Sequence, residues 1–198
     1  MIDVAALYVD ERGPYPKLAN VDCWGEARDA MTYEGPLPVV SHPPCGAYGS
    51  LRHMRVPRRD RLDDSACGPR AVEQVRAFGG VLEQPARSKL WEVCGIPEPG
   101  AGDDAFGGFS IQVDQCEWGH VARKRTWLYI VRVPRSLLEN PPFPRRAPTH
   151  WVSGGRSLVR NGSGGIVPPG IKVCSAQQRR RTPPLFAAYL IRLAQGAT

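Results

Sequence analysis

Short apolar runs, separated by charged residues, glycine and proline, mark the first two thirds of the chain. Apolar runs of about four to eight residues between such breakers predict buried β-strands. We therefore expect strands at residues 4–9, 37–41, 81–83, 109–113 and 126–133.

A helical period of apolar residues sets other segments apart. Residues 66–78 show this period and end at a Gly-Gly pair, which predicts a helix. A shorter helix is expected at residues 25–31. Residues 182–194 predict a last helix, with Thr182 as its cap and Pro183 in its first turn. Because strands and helices alternate, we expect an open, mostly parallel α/β sheet that binds ligands at the carboxyl ends of its strands.

Residues 134–182 differ from the rest, being rich in Pro, Gly, Ser and Arg and poor in apolar residues. This composition predicts a long connection or a small insertion, partly disordered, within a single domain that spans residues 1–198. The basic, irregular residues 46–61 predict a mobile lid or a loop that contacts substrate.

The chain carries a formal net charge of +7, supplied mostly by arginine. Arginine binds phosphate through two hydrogen bonds, so arginine clusters suit a polyanion, although a solvated basic surface is the plainer alternative. One cluster begins close after Cys45, which favours DNA as a partner. Its candidate nucleic-acid contacts are Arg52, Arg55, Arg58, Arg59 and Arg61.

Two classes of protein are disfavoured. No apolar run approaches the roughly 18 residues that a membrane span needs, and the first residues lack the basic leader of a signal peptide. We expect a cytoplasmic protein that does not engage a membrane. Its six cysteines include no C-x-x-C pair, so we expect reduced thiols rather than a disulfide framework.

The segment PVVSHPPCGAYG presents Cys45 at the tip of a proline turn. Pro43 and Pro44 fix φ and lack backbone donors, so the strand ends before them. The small residues Gly46 and Ala47 allow another molecule to approach the thiol. This arrangement is typical of a presented nucleophile, although an isolated cysteine is more often an inert structural thiol.

Three ordered segments resemble the DNA cytosine-5 methyltransferase family, over roughly residues 37–131. Pro43-Pro44-Cys45 matches the Pro-Pro-Cys catalytic loop of that family. The run 81–84, Val-Leu-Glu-Gln, is similar to its Glu-Asn-Val motif, with Gln84 in place of Asn. The Trp-Gly pair at 118–119 and the Arg-Lys-Arg run at 123–125 resemble its Tyr-Gly-Val-Pro-Gln-x-Arg-x-Arg stretch, one residue shorter.

The resemblance implies a Rossmann-like fold and an enzyme that modifies C5 of a pyrimidine, cytosine in DNA. Cys45 would add to C6 of the base, which must first be flipped out of a duplex. Glu83 would hold the N3/N4 edge, best as a donor with a raised pKa. Arg123 and Arg125 would position the Cys45 loop or a phosphate, and the pKa of the thiol should fall if they lie close.

The resemblance also implies S-adenosylmethionine as a cofactor, with Asp10 and Pro43 at the matching positions. However, the Asp-x-Phe-x-Gly-x-Gly loop of the family is absent from DERGPYPKL, the segment after the first predicted strand. Only residues 10–36 separate that strand from the Cys45 strand, so we expect a fold reduced in its cofactor half. Compact relatives of this kind resemble phage genes, which would place the protein in the cytoplasm of a host.

Two other functions are alternatives to this enzyme, a nucleic-acid-binding module and a zinc site. A non-catalytic nucleic-acid-binding module that kept the fold would explain the missing glycine loop, whereas the retained Cys45, Glu83 and arginines favour an enzyme. A zinc site would need close ligand pairs, and His42-x-x-Cys45 is the only one within residues 23–67. We therefore expect no metal, and we expect Trp118 and Trp127 in the core rather than stacked on a base.

Overall fold

A six-stranded mixed sheet forms the centre of the computed structural model, which describes residues 3–49, 64–144, 147–152 and 171–197. Its strands are β1 (Val4–Leu7), β2 (Val21–Trp24), β3 (Val39–Ser41), β4 (Gly80–Pro85), β5 (Gly108–Asp114) and β6 (Arg125–Val131). Their spatial order is β2-β1-β3-β4-β6-β5. Strands β1 to β4 are parallel, whereas β6 runs antiparallel to both of its neighbours. The Rossmann-like, open and mostly parallel sheet expected from the sequence is thus confirmed.

The remaining elements are short strands and helices. Strands β7 (His150–Trp151) and β8 (Lys172–Val173) form a separate parallel pair. The α-helices are α1 (Cys67–Phe78), α2 (Leu90–Cys94), α3 (Ala176–Arg180) and α4 (Pro184–Gln195). Single turns of 3-10 helix occur at Tyr15–Lys17, Ala30–Thr32, Gln115–Trp118 and Arg135–Leu137.

Helices cover both faces of the central sheet. Val40, Val81 and Ile130 point to one face and pack with the apolar side of α4. Their neighbours Val39 and Leu82 point to the other face and pack against α1 and α2. Burial on both faces explains why the strands are continuous apolar runs rather than alternating ones.

The strand register brings separate parts of the chain to one edge. Ser41, the last residue of β3, pairs with Leu82, and Pro85, the last residue of β4, pairs with Thr126. The loop after β3, the end of β4 and the turn before β6 therefore lie together at the carboxyl edge of the parallel strands. Ligands of open α/β sheets bind at this edge.

Three details of the predicted elements are wrong. No helix spans residues 25–31; a turn and a 3-10 helix replace it, with the Asp29 side chain accepting a hydrogen bond from the Met31 N–H. Helix α4 starts one residue later than expected, so Pro183 rather than Thr182 occupies its cap position. Strand β2 and helix α2 had no prediction.

The segment at residues 134–182 contains β7, β8 and α3 in its described parts. The expected lid at 46–61 lies mostly outside the described residues. No helix in the described part of the chain has the length and apolar character to cross a membrane.

Candidate active site at the carboxyl edge of the sheet

Cys45 is exposed in the turn that follows β3. Its carbonyl accepts hydrogen bonds from the N–H groups of Tyr48 and Gly49, at 3.2 and 2.7 Å, which close the turn. Protein atoms crowd the sulfur although solvent reaches it, and this partial burial, with the charge of Glu83, raises the thiol pKa. The charges of Lys124 and Arg180 oppose the rise without cancelling it.

Gln84 anchors the turn that carries Cys45. Its side chain is buried in β4, where Nε2 donates a hydrogen bond to the carbonyl of Pro43. The hydroxyl of Ser88 donates to Gln84 Oε1 at 3.4 Å. The glutamine that replaces the Asn of the resembled motif therefore fixes the proline turn through its backbone.

Glu83 is buried within β4 and accepts hydrogen bonds at both carboxylate oxygens. Oε1 receives Gln115 Nε2 at 3.0 Å and the Thr126 hydroxyl at 3.4 Å, while Oε2 lies 3.1 Å from Nδ1 of His42.

These contacts reverse the expected ionisation of Glu83. Burial raises its pKa, but the hydrogen bond and charge of His42, the charge of Lys124 and the Thr126 hydroxyl outweigh burial, so the pKa is lowered. The expectation of a raised pKa is wrong because it considered burial without these donors. At neutral pH Glu83 is a carboxylate and an acceptor.

Tyr15 extends this cluster beyond His42. The Tyr15 hydroxyl lies 2.5 Å from His42 Nε2, and the ring is buried in the core beneath the loop that follows β1. Burial and the charge of Glu83 raise the pKa of Tyr15 well above its ordinary value, so the phenol keeps its proton. Sequence reasoning missed Tyr15, and it weighed His42 only as a metal ligand.

Gln115 closes the other side of the carboxylate. Its Nε2 also lies 3.0 Å from Thr126 Oγ1, so one amide group joins both residues. Its Oε1 is buried and has no hydrogen-bond partner among the described residues. An unpaired buried acceptor is costly, and here it lies on a side chain that contacts Glu83.

The two predicted arginines lie at the same edge of the sheet but contact Asp114 of β5. Arg123 donates to Asp114 at 2.5 Å, and Arg125 lies 3.8 Å from the other oxygen of that carboxylate. Neither Arg123 nor Arg125 is among the charges that act on the Cys45 thiol, so the fall in its pKa that their proximity would bring does not occur. The lowering charges come from Lys124, between them, and from Arg180.

Helix α3 supplies Arg180 and is held in place by His120. The buried imidazole accepts a hydrogen bond from the Ala122 N–H at 3.0 Å and donates from Nε2 to the Gln178 carbonyl at 2.9 Å. Lys124 Nζ donates to the carbonyl of Arg181 at 3.2 Å. These contacts join the turn before β6 to α3.

The other predicted residues lie in the core or outside the described part of the chain. The candidate nucleic-acid contacts Arg52, Arg55, Arg58, Arg59 and Arg61 lie outside the described residues. Trp118 and Trp127 are buried, which confirms their assignment to the core. Within the ranges that the structure describes, no three His, Cys, Asp or Glu side chains are placed to hold a metal ion.

Comparison of the sequence with known protein families finds no matching family, and comparison with curated proteins finds no matching relative.

Proposed function

We propose that this protein modifies C5 of a pyrimidine, cytosine in DNA, through covalent addition of Cys45 to C6. The observation that carries the proposal is the placement of an exposed thiol beside a buried, ionised carboxylate at the carboxyl edge of the sheet. Both residues belong to the segments that resemble the cytosine-5 methyltransferases.

The reaction needs a thiolate and a group that recognises the base. Since the pKa of Cys45 is raised, the thiolate is a minor form at neutral pH, and Lys124 and Arg180 are the charges that favour it. A base that fills the site would bring the thiolate close to C6 and offset its low population by proximity.

Glu83 would recognise the base as an acceptor. An ionised carboxylate suits the N4 amino group of cytosine, which donates hydrogen bonds, better than the O4 oxygen of uracil or thymine, which accepts them. The unpaired Oε1 of Gln115 is a second acceptor next to Glu83. This acceptor-rich edge supports cytosine as the base.

The residues after β1 do not fit S-adenosylmethionine. Asp10 Oδ1 already accepts the Arg12 N–H at 2.8 Å, and a Cβ added at Gly13 would lie 2.8 Å from the Asp10 carbonyl oxygen, so this loop closes on itself. Tyr15 fills the core beneath that loop, and the carbonyl of Pro43 is occupied by Gln84. We therefore assign no methyl donor.

This poor fit favours a second candidate function, a nucleic-acid-binding module without catalysis. Arg180 and Arg181 of the α3 region are exposed near the turn that carries Lys124, and such cations suit phosphates. The two candidates differ in whether Cys45 is required for any measurable property.

Exchange of the C5 hydrogen tests the proposal without any donor. When the Cys45 thiolate adds to C6, C5 becomes nucleophilic and takes a deuteron from heavy water. Loss of the original C5 proton and departure of the thiolate then restore the base, so no oxidant or cofactor is consumed.

We expect deuterium at C5 of deoxycytidine in single-stranded or duplex oligonucleotides, measured by mass spectrometry. Cys45→Ser should lower the rate by at least about 10³-fold, since it removes the nucleophile. Cys94→Ser, which changes a half-buried thiol in α2, is the matched control and should exchange at the wild-type rate. If the wild-type protein binds DNA but exchanges nothing, and Cys45→Ser binds equally well, the binding module is the correct function.

A further inference from the structure

His42 makes two side-chain hydrogen bonds that have no role in the addition of Cys45 described above. Its side chain is nearly buried, with Nδ1 at 3.1 Å from Glu83 Oε2 and Nε2 at 2.5 Å from the Tyr15 hydroxyl. Both ring nitrogens are thus engaged, one by a carboxylate and the other by a phenol. Three residues from three different segments form one chain of hydrogen bonds that ends at the candidate base-binding carboxylate.

Addition of the thiolate to C6 requires that a proton be delivered to N3 of the base, which would lie next to Glu83. When the thiolate adds to C6, the electron pair of the C5=C6 bond moves to C4–C5, and the pair of the C4=N3 bond moves to N3. N3 must take up a proton for the adduct to be neutral. Glu83 is ionised in the free protein and carries no proton to give.

We propose that His42 supplies this proton through Glu83, which makes His42 a positioning and proton-donating residue of the site. The N–H bond at Nδ1 breaks as an O–H bond forms at Oε2, and the carboxyl passes a proton to N3. The imidazolium becomes a neutral imidazole, and Glu83 returns to the carboxylate form. This inference rests on the proposed function and extends it to the source of the proton.

Tyr15 suits both protonation states of His42. The phenol oxygen accepts a hydrogen bond from the Nε2–H of His42, and the ring keeps this proton both before and after Nδ1 gives up its own. Because burial and the charge of Glu83 raise its pKa, Tyr15 keeps its own proton and does not compete with His42 as a proton donor. It therefore fixes the ring so that Nδ1 faces Glu83 before and after transfer.

Other charged or titratable groups act on this chain of residues, and each would contribute to a pH profile. Cys23, at the end of β2, acts on Tyr15, and Lys124 acts on Glu83. Cys45 is coupled to Glu83, and Arg180 acts on Cys45. A test must therefore separate His42 from the titration of the thiol.

The His42→Asn substitution achieves this separation. The Asn amide nitrogen takes the position of Nδ1 and donates to Glu83, but it does not titrate. In the wild type, the exchange rate should rise with pH as thiolate forms and then level off, where loss of imidazolium balances gain of thiolate. It should finally fall once the thiol is fully ionised.

His42→Asn should exchange about 10²-fold or more slowly near neutral pH, the usual loss when a proton donor is removed. Its rate should rise with pH until the thiol is ionised and should not fall above that point. His150→Asn, which changes a histidine in β7 that contacts Thr149, is the control and should keep the wild-type profile. A His42→Asn protein with the wild-type rate and profile would overturn the inference and leave the proposed function intact.

Tyr15→Phe is a second variant for the case in which His42→Asn does not fold. It removes only the hydroxyl that accepts from Nε2, so the ring is held less firmly toward Glu83 and the exchange rate should fall, by less than in His42→Asn. An unchanged rate in this variant also overturns the inference. If the wild-type protein exchanges no label at any pH, the proposed function fails, and the proton delivery that depends on it fails with it.

Discussion

Glu83 and Asp104 are two carboxylates with lowered pKa values in quite different surroundings. Asp104 precedes β5, near the edge opposite to Cys45, and accepts from the Tyr129 hydroxyl at 2.5 Å and from the backbone N–H groups of Phe106 and Gly108. Arg76 lies 3.5 Å away. Burial raises the Asp104 pKa, and these donors together outweigh it.

The difference lies in the donors and in the nearest reactive group. Two donors to Asp104 are backbone N–H groups, which cannot move or titrate independently, so Asp104 closes a loop. All donors to Glu83 are side chains, one of them the titratable His42, and a thiol lies within the reach of its charge. A lowered pKa alone therefore does not identify a functional carboxylate, whereas mobile donors beside a nucleophile do.

The largest expected difference between the two carboxylates is in activity. Glu83→Gln should lower C5–H exchange by about 10²- to 10⁴-fold, because the amide can neither relay a proton nor accept at both oxygens. Asp104→Asn should stay within a few-fold of wild type. Deuterium incorporation at fixed pH measures both, with circular dichroism as the check on folding. Equal losses in the two variants would mean that neither carboxylate has a special role.

The free energy of unfolding should fall more in Asp104→Asn than in Glu83→Gln, and this difference should be smaller than the difference in activity. Asp104→Asn places an NH₂ group against Arg76 or Tyr129 and loses charge-assisted hydrogen bonds, which should cost about 1–3 kcal/mol of the free energy of unfolding. Urea unfolding at neutral pH measures this loss, and Asp103→Asn at the exposed neighbouring position is the control. A cost below the experimental error would show that the Asp104 loop is held by its apolar contacts instead.

The smallest expected effect is the fall in the free energy of unfolding that both carboxylates cause as the pH is lowered. Both carboxylates have folded-state pKa values below their ordinary values of 4.5 and 3.8, so the unfolded chain binds protons first as pH falls. Their contribution is fully present above the ordinary values and is lost as pH falls through the folded-state values. Urea unfolding at several pH values should show a shallower acid decline in Glu83→Gln and in Asp104→Asn. A decline as steep as wild type in both would contradict the assignment.

The sequence located part of the site because strand ends are visible in it. The apolar runs before Cys45 and Glu83 placed both residues at strand ends, and a parallel sheet then brings such ends together. Glu83 is nevertheless not terminal, since β4 continues to Pro85. That extension has no apolar signal because Gln84 is a polar residue buried by its own hydrogen bonds.

The rest of the site depends on long-range packing that has no local pattern. Tyr15 reaches His42 across 27 positions, and Gln115 reaches Glu83 across 32, in directions set by the sheet register and by the reversed β6. Arg123 and Arg125 were placed at the correct edge, but their pairing with Asp114 depends on the antiparallel β5–β6 ladder. Strand β2 was not predicted because it is a half-buried edge strand whose residues are of mixed polarity.

The position of α4 in the chain has a consequence for biosynthesis. This helix provides seven of the buried side chains on one face of the sheet, yet it is translated after all six strands. Until it leaves the ribosome, the apolar residues of β1, β3 and β4 on that face have no helix over them. A nascent chain lacking residues 184–195 should therefore recruit chaperones or aggregate, and the hydrogen-bonded chain from Tyr15 to Glu83, which lies on the same face, should form only after α4 has been synthesised.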